Sequence, residues 1–244
     1  MIGTADPAGA QQLELNRRPT CMLTAPSHSH TRETDAATHG HLIRWAPSYD
    51  LVVTLLTFGR AGAMRQRTVD LANLTRGETV LEVGCGTGAV ARQARASVGA
   101  GGRVIGIDPS AKMIAAARRK AARAHLDIDF RVAGIEALPF PDASVDVVLS
   151  SLMMHHLPGD LKRVGLGEVR RVLKPGGRLV IVDFGKRRGL LSHLTLSAFV
   201  HHSGEHAVEE LLPLLATADF AEIRTGQLGI LTLSFVTAQA EARA

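Results

Sequence analysis

The chain has 244 residues, of which 45% are hydrophobic, with a formal net charge of +5 and two cysteines. This length allows one domain with additions, or one domain and a small cap, and it is enough to bury a sizeable core. The cysteines exclude a disulfide framework, because Cys21 lies in a predicted tail and Cys85 in a predicted turn. Such cysteine usage suits a reducing compartment, so we expect a cytoplasmic protein.

The apolar runs and charge clusters of the sequence indicate whether a membrane or a nucleic acid is an expected partner. The front of the chain shows no basic start followed by an apolar core, so no secretory signal is expected. The longest apolar stretch there, Leu51 to Phe58, is far shorter than the roughly 20 residues that span a bilayer. With one Trp, one Tyr and seven Phe, the chain lacks the aromatic residues that accompany nucleic-acid binding. Basic clusters such as Lys186-Arg187-Arg188 are interpreted as solvated surface, with peripheral contact to an anionic membrane as the alternative.

A tail and a helical cap are predicted at the front of the chain. Residues 1–36 are rich in Ala, Thr, Ser, Pro and His without a periodic apolar pattern, which predicts a mobile tail. The histidines from His28 to His41 have no Cys or acid pairs at ligand spacing, so no metal site is expected. Residues 37–76 show helical periodicity from Leu51 onward, which predicts an N-terminal helical cap.

Strand and helix patterns alternate over the rest of the chain, residues 77–244. The predicted strands are 79–83, 103–107, 128–132, 145–150, 178–184, 220–225 and 230–236. The predicted helices are 88–98, 110–124, 160–173, an apolar stretch at 190–200, and one near 205–217. This alternation predicts an α/β domain with a mostly parallel sheet and helices on both faces.

Two of the predicted strands carry an acid near their carboxyl end. The first strand contains Glu82 and runs into a turn of alternating glycines, and the second ends in Asp108. Glycines let the backbone turn sharply and admit a ligand, and the helix that follows offers free N–H groups to a negative group. Asp108 lies near the offset of roughly 20 residues at which an acid meets a ribose hydroxyl. Together these features predict a nucleoside-binding crevice.

The glycine turn alone does not identify the nucleoside. Gly84-x-Gly86-x-x-Ala89 also satisfies the fingerprint of nicotinamide or flavin cofactors. With Glu82, however, the motif E-x-G-x-G-x-G resembles the first motif of class I S-adenosylmethionine-dependent methyltransferases. Three later segments are similar to that family in order and spacing: Gly106-Ile107-Asp108-Pro109-Ser110 with Met113, Glu136-Ala137-Leu138-Pro139-Phe140-Pro141-Asp142, and Arg171-Val172-Leu173-Lys174-Pro175-Gly176-Gly177. The resemblance covers about residues 45–185 and is strongest for the ubiquinone/menaquinone-biosynthesis type and its phospholipid N-methyltransferase relatives.

The resemblance implies a fold and a cofactor. The fold is Rossmann-like and doubly wound, with a mostly parallel seven-stranded sheet, an antiparallel last strand and the helical cap. The cofactor is S-adenosyl-L-methionine. Glu82 and the backbone of Gly84, Gly86 and Gly88 are expected to hold its methionine portion, and Asp108 its ribose hydroxyls. The other residues expected to contact the cofactor are Met113, Ile135 and Ser151.

A departure from the resembling family bears on the recognition of adenine. The family often has an acid that meets the adenine amine where this chain has Gly134. We therefore expect adenine recognition to depend on backbone groups from Ala133 to Glu136.

Candidate acceptor residues follow the fourth predicted strand and lie in the cap. His155 is predicted to take a proton from the acceptor, and the alternative is that it only caps or packs the next helix. Tyr49 is predicted near the cofactor, with helix packing as its alternative. The apolar stretch, in a predicted cap insertion near 186–205, favours an apolar acceptor, although it could equally be a core helix.

These features predict a methyltransferase that acts on a small or lipid-like, mainly apolar acceptor: a quinone ring, a phospholipid amine or another small molecule. One alternative is a nicotinamide-dependent oxidoreductase, although Tyr-x-x-x-Lys is absent because Val53 follows Tyr49 at that spacing. The other alternative is a non-catalytic module that binds the cofactor.

Overall fold

The structure of the protein is a computed structural model that describes residues 34–36, 38, 53–55, 57–185, 208–230 and 232–242. Tyr49, the cap insertion predicted near 186–205 and most of the tail predicted over 1–36 lie outside these residues, so the domain boundaries stay predictions. Within the described part of the chain, no helix has the length and apolar character needed to cross a membrane.

The described elements follow the predicted alternation closely. The helices are α1 (Ala61–Ala72), α2 (Ala89–Val98), α3 (Ala111–Arg123), α4 (Gly159–Val172) and α5 (Leu211–Thr217). The strands are β1 (Thr79–Val83), β2 (Arg103–Asp108), β3 (Asp129–Val132), β4 (Val145–Ser151), β5 (Leu173–Phe184), β6 (Phe220–Gln227) and β7 (Leu233–Ala240). Short 3-10 helices lie at Met154–His156 and Val208–Glu210.

The strands form one seven-stranded sheet in the order β3-β2-β1-β4-β5-β7-β6. β1 to β5 pair in parallel, whereas β7 runs antiparallel to both β5 and β6. The Rossmann-like fold with an antiparallel last strand is therefore confirmed. The strand order reverses between β1 and β4, and the carboxyl edge at such a switch point is where open α/β sheets bind ligands.

Helices cover both faces of the sheet, as predicted. Alternate strand residues, among them Val80, Val104 and Val147, pack with α1, α2 and α3. The other set, which includes Leu81 and Val148, packs with α4 and α5. Because both faces are buried, the central strands are apolar almost throughout, as is typical of parallel sheets.

Two strands differ most from their predicted bounds. The strand predicted over 230–236 is β7, which runs from Leu233 to Ala240, and β5 differs at its start. We expected segment 174–177 to turn the chain into a strand that begins at residue 178, but β5 begins at Leu173. Its pairing with β4 is irregular after Leu173, because this segment inserts extra residues as a bulge. Gly176, with a positive φ of 73°, supplies the backbone conformation that the bulge needs.

Candidate functional site

The glycine turn lies at the switch point, between the end of β1 and the start of α2. Gly84, Gly86 and Gly88 all have positive φ, at 68°, 51° and 73°, which explains why glycine is used there. Packing gives a second reason for glycine at two of them. A Cβ on Gly84 would overlap the side chain of Met153, and a Cβ on Gly88 would overlap the ring of Phe130. At these positions the turn packs closely against the protein itself.

Glu82 ties β1 to the first turn of α2. The side chain is 2% exposed, and its Oε2 accepts a hydrogen bond of 2.7 Å from the backbone N–H of Ala91. Burial raises the pKa of Glu82 to about 8, and the nearby charge of Asp108 contributes in the same direction. A positively charged ligand group beside Glu82 would favour its ionised form.

Asp108 joins β2 to the glycine turn. Its Oδ2 accepts from the backbone N–H of Gly86 and its Oδ1 from that of Ser110, both at 2.9 Å. Burial raises the pKa of Asp108 to about 6, although these two hydrogen bonds oppose the rise. A carboxylate can accept about four hydrogen bonds, so Asp108 retains acceptor capacity for ligand hydroxyls.

The two acids face the same side of the sheet. Along their strands, Glu82 is two residues after Val80 and Asp108 is four residues after Val104. Each acid therefore points to the same face as that valine, which is the face that α1, α2 and α3 cover. The structure therefore brings the two predicted carboxylates together at adjacent strand ends.

Residues near the end of the predicted tail also reach this edge. Asp35 Oδ1 accepts from the backbone N–H of Ala111 at 2.9 Å, and the N–H of Ala36 donates to the carbonyl of Pro109 at 2.9 Å. Asp35 thus caps the N-terminus of α3, and its charge contributes to the raised pKa of Asp108. We did not predict this contact, because nothing in the local pattern around Asp35 indicates its distant partner.

The connection that leaves β3 runs beside Asp108. The backbone N–H of Ala133 donates to the carbonyl of Asp108 at 3.2 Å. Ile135 is buried and lies against α4 at Gly165, where an added Cβ would be only 2.8 Å from its Cδ1. Met113 is buried in the first turn of α3. That Met113 and Ile135 contact adenine stays a prediction.

On the other side of the switch point, His155 pairs with an acid. Its Nδ1 lies 2.6 Å from Oδ1 of Asp183, and its backbone N–H donates to Oδ2 at 3.2 Å. Asp183, 1% exposed, lies near the end of β5. Burial raises the pKa of Asp183, but the charge of His155 and its hydrogen bonds outweigh this effect and lower it overall. The ring of His155 also meets Phe184 edge-on, with centroids 4.9 Å apart.

Sequence reasoning missed Asp183, although a signal was present. Like Glu82 and Asp108, it is an acid close to the carboxyl end of an apolar strand. Ser151, predicted to contact the cofactor, ends β4 opposite Val182 on β5. It is therefore placed at the same edge, and its contact with a ligand stays a prediction.

Comparisons with known proteins agree with this geometry. Residues 80–177 match the family model described as "Methyltransferase domain". The chain is similar to demethylmenaquinone methyltransferase of Thermus thermophilus, with 40% identity over 57% of this chain and 62% of that enzyme. It is also similar to 2-phytyl-1,4-naphtoquinone methyltransferase of Synechocystis, with 33% identity over 63% of this chain and 65% of that enzyme. The chain thus covers less than two thirds of the length of these curated relatives.

A solved structure shares the fold. A SAM-dependent methyltransferase from Aquifex aeolicus superposes with a TM-score of 0.56 at 24% identity, over 72% of this chain and 89% of that one. These findings confirm the resemblance to class I S-adenosylmethionine-dependent methyltransferases.

Proposed function

We propose that this chain, which carries a class I methyltransferase domain, transfers a methyl group from S-adenosylmethionine to a small, mainly apolar acceptor with a quinol-type ring. One observation carries the proposal. The His155–Asp183 pair, 2.6 Å apart, lies at the same strand edge as the glycine turn and the acids Glu82 and Asp108. A nucleoside site and a proton acceptor therefore adjoin at the switch point of the sheet.

The residues of β1 and β2 fit the proposed donor. Asp108 has acceptor capacity left for two ribose hydroxyls, since its two known partners are backbone N–H groups. Glu82 is a buried acid whose ionised form gains from a nearby positive charge, and the donor carries positive charge on its sulfonium and amino groups.

The donor supplies a methyl group that is already activated on a sulfonium. This chain must then hold an acceptor in line with that methyl and exclude water, and such positioning can supply roughly 7–11 kcal/mol in well-oriented reactions.

His155 is suited to remove a proton from the acceptor. With Nδ1 held by Asp183, the other ring nitrogen, Nε2, can accept the proton. Removal of a hydroxyl proton makes an aromatic ring carbon electron-rich. When bound, the donor would supply its methyl group to that carbon and leave as S-adenosylhomocysteine, and the ring carbon would then release its own proton to solvent as the aromatic ring is restored.

The relatives favour a quinol-type ring over a phospholipid amine. The two relatives described above, 40% and 33% identical to this chain, are named for demethylmenaquinone and 2-phytyl-1,4-naphtoquinone. An electrophilic methyl needs an electron-rich acceptor, so the reduced, dihydroxy form of such a ring is the chemically competent one.

A labelled-methyl assay tests the proposal. Purified protein is incubated with methyl-labelled S-adenosylmethionine and either a reduced 2-alkyl-1,4-naphthoquinone or phosphatidylethanolamine, and products are identified by mass spectrometry. We expect label in the quinol carbon skeleton only. Label in the lipid amine would replace the quinol by the amine as the acceptor.

The same protein also tests the two alternatives. Binding of S-adenosylhomocysteine without transfer to either acceptor would support a non-catalytic binding module. Thermal protection by NADH but not by S-adenosylhomocysteine would support an oxidoreductase, which the comparisons do not favour.

A further inference from the structure

The order of the strands sets the direction in which a bound nucleoside extends. The glycine turn follows β1, Asp108 ends the neighbouring β2, and β3 lies beyond β2 at the sheet margin. If a ribose binds Asp108 while the rest of the donor lies over the turn at β1, the base must extend toward β3. The connection after β3 therefore lines the position of the base, and Ala133 joins that connection to Asp108 by a backbone hydrogen bond.

Glu136 lies in this connection with an unusual side-chain environment. Both carboxylate oxygens are shielded from solvent, and neither has a hydrogen-bond partner among the described residues. Its carboxyl group folds back over Gly134, because a Cβ on Gly134 would lie only 2.7 Å from its Cδ. Glu136 thus occupies the space that a side chain at position 134 would fill.

An unpaired carboxylate shielded from water is costly, so structures normally give it a donor. No such donor is present within the part of the chain that the structure describes. A ligand that brings an N–H group to this point would satisfy it. An ionised carboxylate only accepts hydrogen bonds, so it favours an amine and disfavours a carbonyl oxygen.

We propose that the Glu136 carboxylate accepts a hydrogen bond from the exocyclic amine of adenine and selects adenine over a base that has a carbonyl at that position. This inference rests on the proposed function, because it takes the donor to be an adenosyl compound. It adds a side chain to the backbone groups from Ala133 to Glu136 that we expected to recognise the base. The side chain two positions after Gly134 supplies the acid that position 134 lacks.

Binding titration with two nucleosides tests the inference without any methyl transfer. The probes are S-adenosylhomocysteine and its deaminated analogue S-inosylhomocysteine, which has a carbonyl in place of the amine. We expect the wild-type protein to bind the adenosyl compound at least about tenfold more tightly. In the analogue, a carbonyl oxygen would face the Glu136 carboxylate, and neither group could donate a hydrogen bond to the other. Glu136→Gln should bring the ratio of the two dissociation constants close to one, because its amide can accept from the amine or donate to the carbonyl.

Two further variants keep the test specific. Asp142→Asn is the matched control, because Asp142 lies in the same connection but pairs with Arg171 at 2.8 Å. It should leave the ratio unchanged. Gly134→Asp combined with Glu136→Ala restores a carboxylate to the same space from position 134, and should restore the preference for adenine. This double variant also carries the test if Glu136→Gln does not fold.

The outcomes separate the inference from the proposed function. If the wild-type protein binds neither compound, the proposed function fails and the role of Glu136 fails with it. If it binds the adenosyl compound and Glu136→Gln keeps the wild-type ratio, the role of Glu136 is overturned while the function stands.

Discussion

The two halves of the site are built in different ways. At β1 and β2, both acids accept from backbone N–H groups: Glu82 from Ala91 in the helix after its strand, and Asp108 from Ser110 just beyond its strand and from Gly86 in the turn after β1. At β4 and β5, His155 meets Asp183 through their side chains, across 28 residues of sequence. The first half is held by backbone N–H groups, most of them close along the chain, with one contact from Gly86 to Asp108 that crosses to the neighbouring strand. The second half joins two side chains that come from different strand ends. This difference separates donor binding from acceptor chemistry, and variants can test the separation.

The largest effect is expected from Asp183→Asn. The amide can no longer hold His155 by a charged hydrogen bond, so the rate of methyl transfer should fall by about 10²–10⁴-fold. Because Asp183 lies outside the donor half, the dissociation constant for S-adenosylhomocysteine should not change. The measurements are kcat with a quinol acceptor and a binding titration.

His156→Ala is the control for Asp183→Asn, because this histidine lies in the same 3-10 helix with its ring 3.9 Å from that of His155. It should reduce the transfer rate far less. Equal losses from both variants would mean that the turn as a whole, rather than the His155–Asp183 pair, is needed for transfer.

The next effect is expected from Asp108→Ala, in the donor half. Loss of two hydrogen bonds to a charged group should weaken S-adenosylhomocysteine binding by about 100-fold or more. Asp146→Ala is a matched control, because Asp146 likewise accepts from a strand backbone N–H, that of Thr79 at 2.9 Å.

Asp146 lies where β1 and β4 begin, at the opposite edge of the sheet. Its loss should lower thermal stability and leave donor affinity intact. If the Asp146 variant loses donor affinity as strongly as the Asp108 variant, the loss reflects general damage to the sheet rather than a ribose contact.

A smaller effect is expected from the pH dependence of stability. Burial raises the pKa of Glu82 from 4.5 to about 8, so between these values the folded protein retains a proton that the unfolded chain has lost. The free energy of unfolding should therefore fall as pH rises through this range, by up to about 1.4 kcal/mol per pH unit. The pKa of Asp108 is raised only to about 6, so Asp108 contributes mainly to the lower part of this range and Glu82 to the upper part.

Glu82→Gln should remove this slope in denaturant titrations across the upper range. The variant needs no control protein, because the wild type and the variant share every other titrating group. A wild-type slope that persists in the variant would assign the proton to another residue.

The local character of the donor half explains what could be predicted. Glu82, Asp108 and the glycine turn could be predicted because each lies near the end of an apolar strand or in the turn that follows it, although the contact between Gly86 and Asp108 forms only when β1 and β2 pair. The partners of Asp183 and Asp35 could not be assigned, since His155 and Ala111 come near these acids only in the folded chain. The glycines were predicted at the right positions with an incomplete reason, because side-chain packing against Met153 and Phe130 depends on distant strands.

The smallest expected effect is a change in stability that tests whether close packing explains the use of glycine. Gly106 lies in β2, and an added Cβ would be 2.7 Å from the ring of Phe130 and 3.1 Å from Sγ of Cys85. Gly106→Ala should therefore destabilise the protein by about 1–3 kcal/mol through overpacking. Gly62→Ala is the matched control in α1, where an added Cβ meets nothing within 4 Å. It should raise stability by about 0.5–1 kcal/mol, because alanine favours helix over glycine.

Denaturant unfolding of both variants measures these opposite signs. Gly106 lies in β2, the strand that ends in Asp108. The loss of stability in Gly106→Ala therefore measures how closely this strand is packed. A neutral Gly106→Ala would show that Phe130 can shift freely. In that case the space at Gly88, which the same ring fills, would be open to adjustment too, and close packing would no longer explain glycine there.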